Sequence, residues 1–266
     1  MIIDFHTHIF PDALAVRAMS ALQNNCHGEY KPVHDLTLHG LLAAMDRFGV
    51  DKSVVMPVST KPSQSAKNLI WGESIRSDRI IPFAGIFPEA ESWRENIDYA
   101  VAHGYKGIKL HPEYQNFEAG DEKMFPLYEY ALDKGLIILF HAGYDPIGTP
   151  PYRSNPAAFR KVVRAMGGGV IVAAHFGGQS QWDDVEKYLV GENIYLDTSM
   201  GTEYYSEEQF LRIVRAHGAD KVLFASDSPW SDAGKEIANI EAMPLSAEEK
   251  EAVFAGNAKK LLGIAE

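Results

Sequence analysis

Eight short, nearly unbroken apolar runs punctuate this chain, and between them apolar residues recur at every third or fourth position. The first run starts at Met1 and closes on His6-Thr7-His8. The others cover residues 52–58, 80–86, 107–111, 136–141, 170–175, 193–197 and 221–227. Runs of this length without polar alternation predict strands buried on both faces. The 3.6-residue pattern predicts helices over 37–48, 63–77, 93–103, 124–134, 157–166, 182–190 and 207–217, and a last one over 247–262. Gly49 and Gly218 stop two of them. One connection departs from the rhythm. Residues 9–36 hold Pro11, an amphipathic stretch over 13–22 and polar residues over 24–28, and read as a functional loop or lid.

Doubly covered strands alternating with helices imply a parallel sheet. Eight such units in 266 residues fit an α/β fold of one closed (β/α)8 TIM barrel, typically about 250 residues, better than an open doubly wound sheet. No linker or low-complexity tract interrupts residues 1–266, so a single domain is expected. No strand leads into GxGxxG or GxxxxGK[ST], so neither a dinucleotide nor a P-loop site is indicated. Gly167-Gly168-Gly169 precedes a strand, the wrong side for a phosphate cradle, and reads as a plain turn.

Composition narrows the picture. With 46% hydrophobic and 23% charged residues the chain is an ordinary globular one, not a disordered one. Its apolar runs stay near strand length, far short of the roughly 20 residues that cross a bilayer. Met1 leads directly into the first strand, so no signal or transit peptide is expected and the cytoplasm is the expected compartment. Cys26 is the only cysteine, which excludes an internal disulfide and any CxxC motif. The net charge is −11 and no basic cluster occurs, which argues against nucleic acid and anionic membranes. The expected partner is a small-molecule substrate.

In such a barrel the chemistry sits at the C-terminal ends of the strands. Those ends carry His6 and His8, then Lys109 and His111, His141, His175, Asp197 and Asp227. Strand alternation puts His6 and His8 on one face, half of a metal site. Five of the ten histidines thus terminate apolar strands, a coincidence that scattered histidines would not produce. Each has a plainer alternative. His141 and His175 could bond a turn, while Asp227 and especially Asp197 could cap the segment that follows. The histidines at 27, 34, 39, 103 and 217 fall on loops or helices and read as solvated surface. Rim-loop candidates for substrate contact are Phe10, Tyr114, Asn116, Tyr144, Tyr152, Arg153 and Trp230. Arg153 is suited to pair a carboxylate in two-point fashion, or is an exposed loop charge.

The His-Thr-His end of strand one, the histidines ending strands five and six and Asp227 ending strand eight resemble the amidohydrolase superfamily along the whole chain. Residues 107–112, the Phe140-His141-Ala142-Gly143 turn and residues 254–262 resemble its amidohydrolase-related branch, which includes decarboxylases similar to aminocarboxymuconate semialdehyde decarboxylase, and lactonases. The resemblance implies that His6, His8, His141 and Asp227 hold a divalent metal, and that His175 faces the bound water or substrate. Three imidazoles and a carboxylate suit Zn²⁺, with Mn²⁺, Fe²⁺ or Co²⁺ also accommodated. Asp227 would then serve as general base and His175 as a polarising group, while Lys109, His111, Tyr144, Arg153 and Trp230 would contact substrate. Strand four lacks the glutamate of the related deoxyribonucleases. Either a carbamylated Lys109 bridges two metals, or one metal binds and Lys109 and His111 meet substrate or pack the barrel; the second is preferred. The leading expectation is hydrolysis of an amide, ester or lactone in a small organic acid. The alternative is nonoxidative decarboxylation of an unsaturated or aromatic acid, and the resemblance leaves a homodimer open.

Overall fold

Because the apolar runs lack a polar face, each must be covered on both sides, and the chain meets that demand with parallel strands and intervening helices. The computed structural model describes residues 1–201 and 204–265. Its strands are β1 (Ile3–Thr7), β2 (Lys52–Val55), β3 (Ile80–Pro82), β4 (Ala84–Gly85), β5 (Gly107–Leu110), β6 (Ile137–Phe140), β7 (Ile171–Ala173), β8 (Tyr195–Asp197) and β9 (Val222–Leu223). The helices are α1 (Asp12–Asn25), α2 (Leu38–Phe48), α3 (Ser65–Ile75), α4 (Trp93–Ala102), α5 (Pro112–Gln115), α6 (Phe125–Asp133), α7 (Pro156–Met166), α8 (Trp182–Tyr188), α9 (Glu207–His217), α10 (Ala233–Ala242), α11 (Ala247–Glu251) and α12 (Asn257–Leu262). The chain divides into two compact units, one of Met1–Val55, Ser77–Ile81 and Asp197–Glu266, the other of Met56–Arg76 and Pro82–Leu196.

In the first unit β1 lies between two neighbours. It pairs in parallel with β2 on one side. On the other it meets residues 224–228, through Phe5 N–H to Phe224 O at 2.9 Å, Asp227 N–H to His6 O at 2.9 Å and His8 N–H to Ser228 O at 2.7 Å. Ile3, Phe5, Val54, Val55, Phe210, Ile213, Phe224 and Val253 are buried here. The expected eighth strand over 221–227 is regular only at Val222–Leu223. The Asp227 backbone takes φ +64°, a left-handed conformation that a ladder does not accommodate. The last helix is also not uniform. Between α11 and α12 a π-turn spans Ala252–Gly256, where the Val253 carbonyl accepts from Phe224 N–H instead of serving only its own helix.

In the second unit β4 to β8 pair successively and in parallel. Ile108, Leu110, Ile138, Leu139, Phe140, Val172 and Ala173 form the buried strand layer. The run over 80–86 does not make one strand. It divides at Pro82-Phe83, where proline offers no N–H to continue a ladder, into β3, which joins β1 and β2, and β4. Gly143, two residues beyond His141, has φ +85° and lies so close to the backbone of Gly178 and Gln179 that a Cβ would overlap it. That approach is fixed by Gln179 N–H to Ala142 O and Tyr144 N–H to Gln179 O, both 2.9 Å.

Helix α10 lies outside the helices expected from sequence, although Ala233, Glu236, Ile237 and Ile240 are buried along one of its faces. It starts because Asp232 accepts from the N–H groups of Gly234 and Lys235.

Candidate metal centre

Three side chains converge in the first unit. His6 Nε2 and His8 Nε2 lie 3.1 Å apart. Asp227 Oδ1 is 3.4 Å from His6 Nε2 and 3.1 Å from His8 Nε2. The two histidines share a face through strand alternation, and the left-handed turn at Asp227, pinned by its N–H to His6 O, carries the carboxylate to them. Donors 2.0–2.1 Å from a tetrahedral ion are separated by roughly 3.3 Å. The observed triangle has that size, so the residues fit a divalent metal.

The protonation pattern agrees. His6 Nδ1 sits 3.0 Å from Asp197 Oδ2, both side chains fully buried. The carboxylate accepts Nδ1–H, which leaves the Nε2 lone pair for a metal. Asp197 also accepts the Ser199 N–H at 3.1 Å, so the expected capping role and an unexpected one coexist. Asp4, further back on β1, accepts from Ser226 N–H at 2.9 Å, from Ser226 Oγ and from His6 N–H at 3.2 Å. It thereby ties β1 to the segment leading into Asp227. Burial pushes its carboxyl up to about 7, against those hydrogen bonds.

His34, expected on the surface, instead joins this region. Its Nε2 meets Ser228 Oγ at 3.0 Å and its Nδ1 accepts Leu36 N–H at 3.2 Å. Burial lowers its pKa to about 4. The lid-like connection containing α1 is thus fastened next to Asp227. His217, also read as surface, is buried at the end of α9.

The second unit holds another group. His111 and His141 stack with centroids 4.1 Å apart and planes 7° apart. Asp145 Oδ2 lies 3.5 Å from His111 Nε2 and 3.9 Å from His141 Nε2. His175 Nε2 is 3.0 Å from His141 Nδ1, so one proton is shared between these rings. His111 Nδ1 accepts Tyr114 N–H at 3.4 Å, which puts the His111 proton on Nε2, toward Asp145. In that tautomer His111 presents an N–H toward Asp145, whereas His141 retains a ligand lone pair if its Nδ1 carries the shared proton. Asp145 was missed in sequence because it lies within an irregular loop, where no periodicity indicates which way a side chain faces.

Lys109 is wholly buried on β5. Tyr144 packs edge-on against Tyr152, with centroids 5.7 Å apart. The Arg153 guanidinium is engaged by Glu118 Oε1 at 3.1 Å and Glu113 Oε2 at 3.7 Å, so a substrate carboxylate would have to displace protein carboxylates. Trp230 follows Asp227 by three residues and donates its backbone N–H to the Asp227 carbonyl at 2.9 Å.

A family model described as amidohydrolase matches residues 3–264. No curated protein matches the chain. Among solved structures, an uncharacterised TIM-barrel protein from Bordetella bronchiseptica is similar at TM-score 0.77 and 17% identity, covering 98% of each chain. The 5-carboxyvanillate decarboxylase of Sphingomonas paucimobilis is similar at 0.74 and 13%, covering 99% of each chain. A dihydroxybenzoic acid decarboxylase from Polaromonas sp. JS666, solved with manganese and the inhibitor 2-nitroresorcinol, is similar at 0.74 and 14%, covering 99% of this chain and 97% of the other. The fold is therefore the (β/α)8 TIM barrel.

Proposed function

The chain belongs to the amidohydrolase family, and from that premise we propose that it is a metal-dependent nonoxidative decarboxylase of an aromatic or unsaturated carboxylic acid. The observation that carries the metal dependence is the convergence of His6 Nε2, His8 Nε2 and Asp227 Oδ1, with the other His6 nitrogen held by Asp197. The end-to-end likeness to decarboxylases of hydroxylated benzoic acids supports carbon–carbon cleavage over hydrolysis, reversing the order of the two readings expected from sequence.

A divalent ion of the zinc or manganese kind would supply Lewis acidity toward substrate oxygens. The remaining work falls to the protein. Asp197 fixes the His6 tautomer and Asp4 fixes the β1 backbone behind it. The resemblance gives His141 a ligand role and His175 a substrate-facing one. Decarboxylation needs a proton for the carbon that loses CO₂, whose bonding pair otherwise stays on the ring. Asp227 or His175 is the group given that proton transfer.

The test is incubation of metal-loaded protein with a panel of hydroxylated benzoic acids in D₂O. CO₂ release with one deuterium at the vacated ring carbon, abolished in His6→Ala and Asp227→Asn, is the expected result. Protein that holds no stoichiometric divalent metal, with turnover indifferent to both substitutions, would remove the reading.

Hydrolysis of an amide, ester or lactone is the second reading. It is favoured by the description of the matching family as amidohydrolase and by donors equally suited to activating water. Incorporation of ¹⁸O from water into a product carboxylate, without CO₂, selects it.

A further inference from the structure

Beside the Asp227 turn the first unit contains a cavity of about 280 Å³. Its wall combines the loop at Tyr30, Lys31 and Val33 with Met200, Tyr204 and Trp230. Two further contacts, besides the Trp230 N–H to Asp227 bond, fasten this wall to the candidate metal donors. Val33 N–H donates to Pro229 O at 2.8 Å, and His34 meets Ser228 Oγ at 3.0 Å. The cavity therefore adjoins the backbone that presents the Asp227 carboxylate.

Its lining is selective. Tyr30 and Tyr204 meet edge to face, with centroids 6.5 Å apart and planes at 71°. Trp230, Met200 and Val33 add apolar and polarisable surface, an environment that suits the face of a flat ring. The three carboxylates of the lining, Glu29, Asp232 and Glu236, all have protein partners. Asp232 accepts from Gly234 and Lys235 N–H, and the almost fully buried Glu236 accepts from Ser231 Oγ at 2.7 Å. Lys31 makes no hydrogen bond or ion pair among the described residues, so its ammonium is available to an anion. The volume lies just below the roughly 300–1,000 Å³ of ordinary ligand pockets. It admits one six-membered ring with small substituents.

We infer that this cleft binds the ring of a monocyclic hydroxylated or carboxylated aromatic acid between Tyr30, Tyr204 and Trp230, with Lys31 pairing an anionic substituent. The inference rests on the decarboxylase reading for the reaction, but not for the binding. The test is calorimetric titration of the full-length, zinc-loaded protein with 2,6-dihydroxybenzoate as the anionic probe and resorcinol as the neutral one. The wild type is expected to bind both, one per chain. Trp230→Ala and Tyr30→Ala each weaken both about tenfold. Lys31→Met, on an exposed loop that tolerates substitution, weakens the acid at least threefold and leaves resorcinol within twofold.

A wild type that binds neither probe overturns the assignment. So do Trp230→Ala and Tyr30→Ala with wild-type affinities, or a Lys31→Met that loses nothing toward the acid. Failure of the proposed reaction is separable. Resorcinol binding that persists in chelator-treated protein, with no CO₂ release from loaded protein, removes the reaction and keeps the cleft. Turnover at unchanged KM in Trp230→Ala does the reverse.

Discussion

A carboxylate 3.0 Å from His6 Nδ1 orients the ring and makes Nε2 the better ligand. Asp197→Ala is accordingly expected to weaken divalent-metal affinity by about 10–100-fold, read by competition with a chromophoric chelator. Unchanged affinity would reduce Asp197 to a capping residue. His34 gives a pH signature. Leu36 N–H occupies its Nδ1, so protonation must break that bond as well as charge a half-buried ring. Its folded pKa, about 4, lies below the free value of 6.5, so between those values the unfolded chain binds the extra proton. Stability therefore rises with pH across that window and is lost as pH falls through it. Urea unfolding at pH 4.5 and 7 is expected to show a smaller loss in His34→Gln than in wild type, and equal losses would contradict the assignment.

Elements here are held by backbone approaches that side chains would prevent. Gly143→Ala combines a positive φ with overlap against residues 178 and 179, and is expected to cost on the order of 2–4 kcal/mol in denaturant unfolding. The same change displaces the segment that follows His141, so metal or substrate binding should fall with it. Helix α2 offers a milder case. The Thr37 side chain accepts Gly40 N–H at 3.0 Å, and Thr37→Ala should cost about 1 kcal/mol while leaving metal affinity unaltered. These two variants separate local stability from site geometry, because Thr37 caps a helix whereas Gly143 adjoins a candidate ligand.

At the scale of the molecule, a bound metal would couple to folding. An ion that binds the native chain but not the unfolded one adds about 2.7 kcal/mol at a hundred times its Kd. For a chain of this size that is roughly 5–10 °C in Tm. Zinc or manganese should raise Tm by that order, a chelator should reverse it, and His8→Ala should respond to neither. A wild-type melt indifferent to metal would leave the His6, His8 and Asp227 triangle as an ordinary hydrogen-bonded cluster.

Strand positions, most helices and the barrel class were legible in the sequence because periodicity reports burial directly, and burial on two faces demands helix cover. His6 and His8 were legible as a pair for the same reason, since alternation is a local rule. Other features depended on the way distant segments meet. Pro82 divides a run that reads as one strand, and a positive φ at Asp227 ends the ladder of another. Asp4 reaches Ser226 and His34 reaches Ser228, pairings 222 and 194 residues apart that no spacing encodes. Local pattern determines which side chains leave water, whereas the partners of a buried polar group are chosen only when the backbone closes around it and every donor and acceptor must be matched.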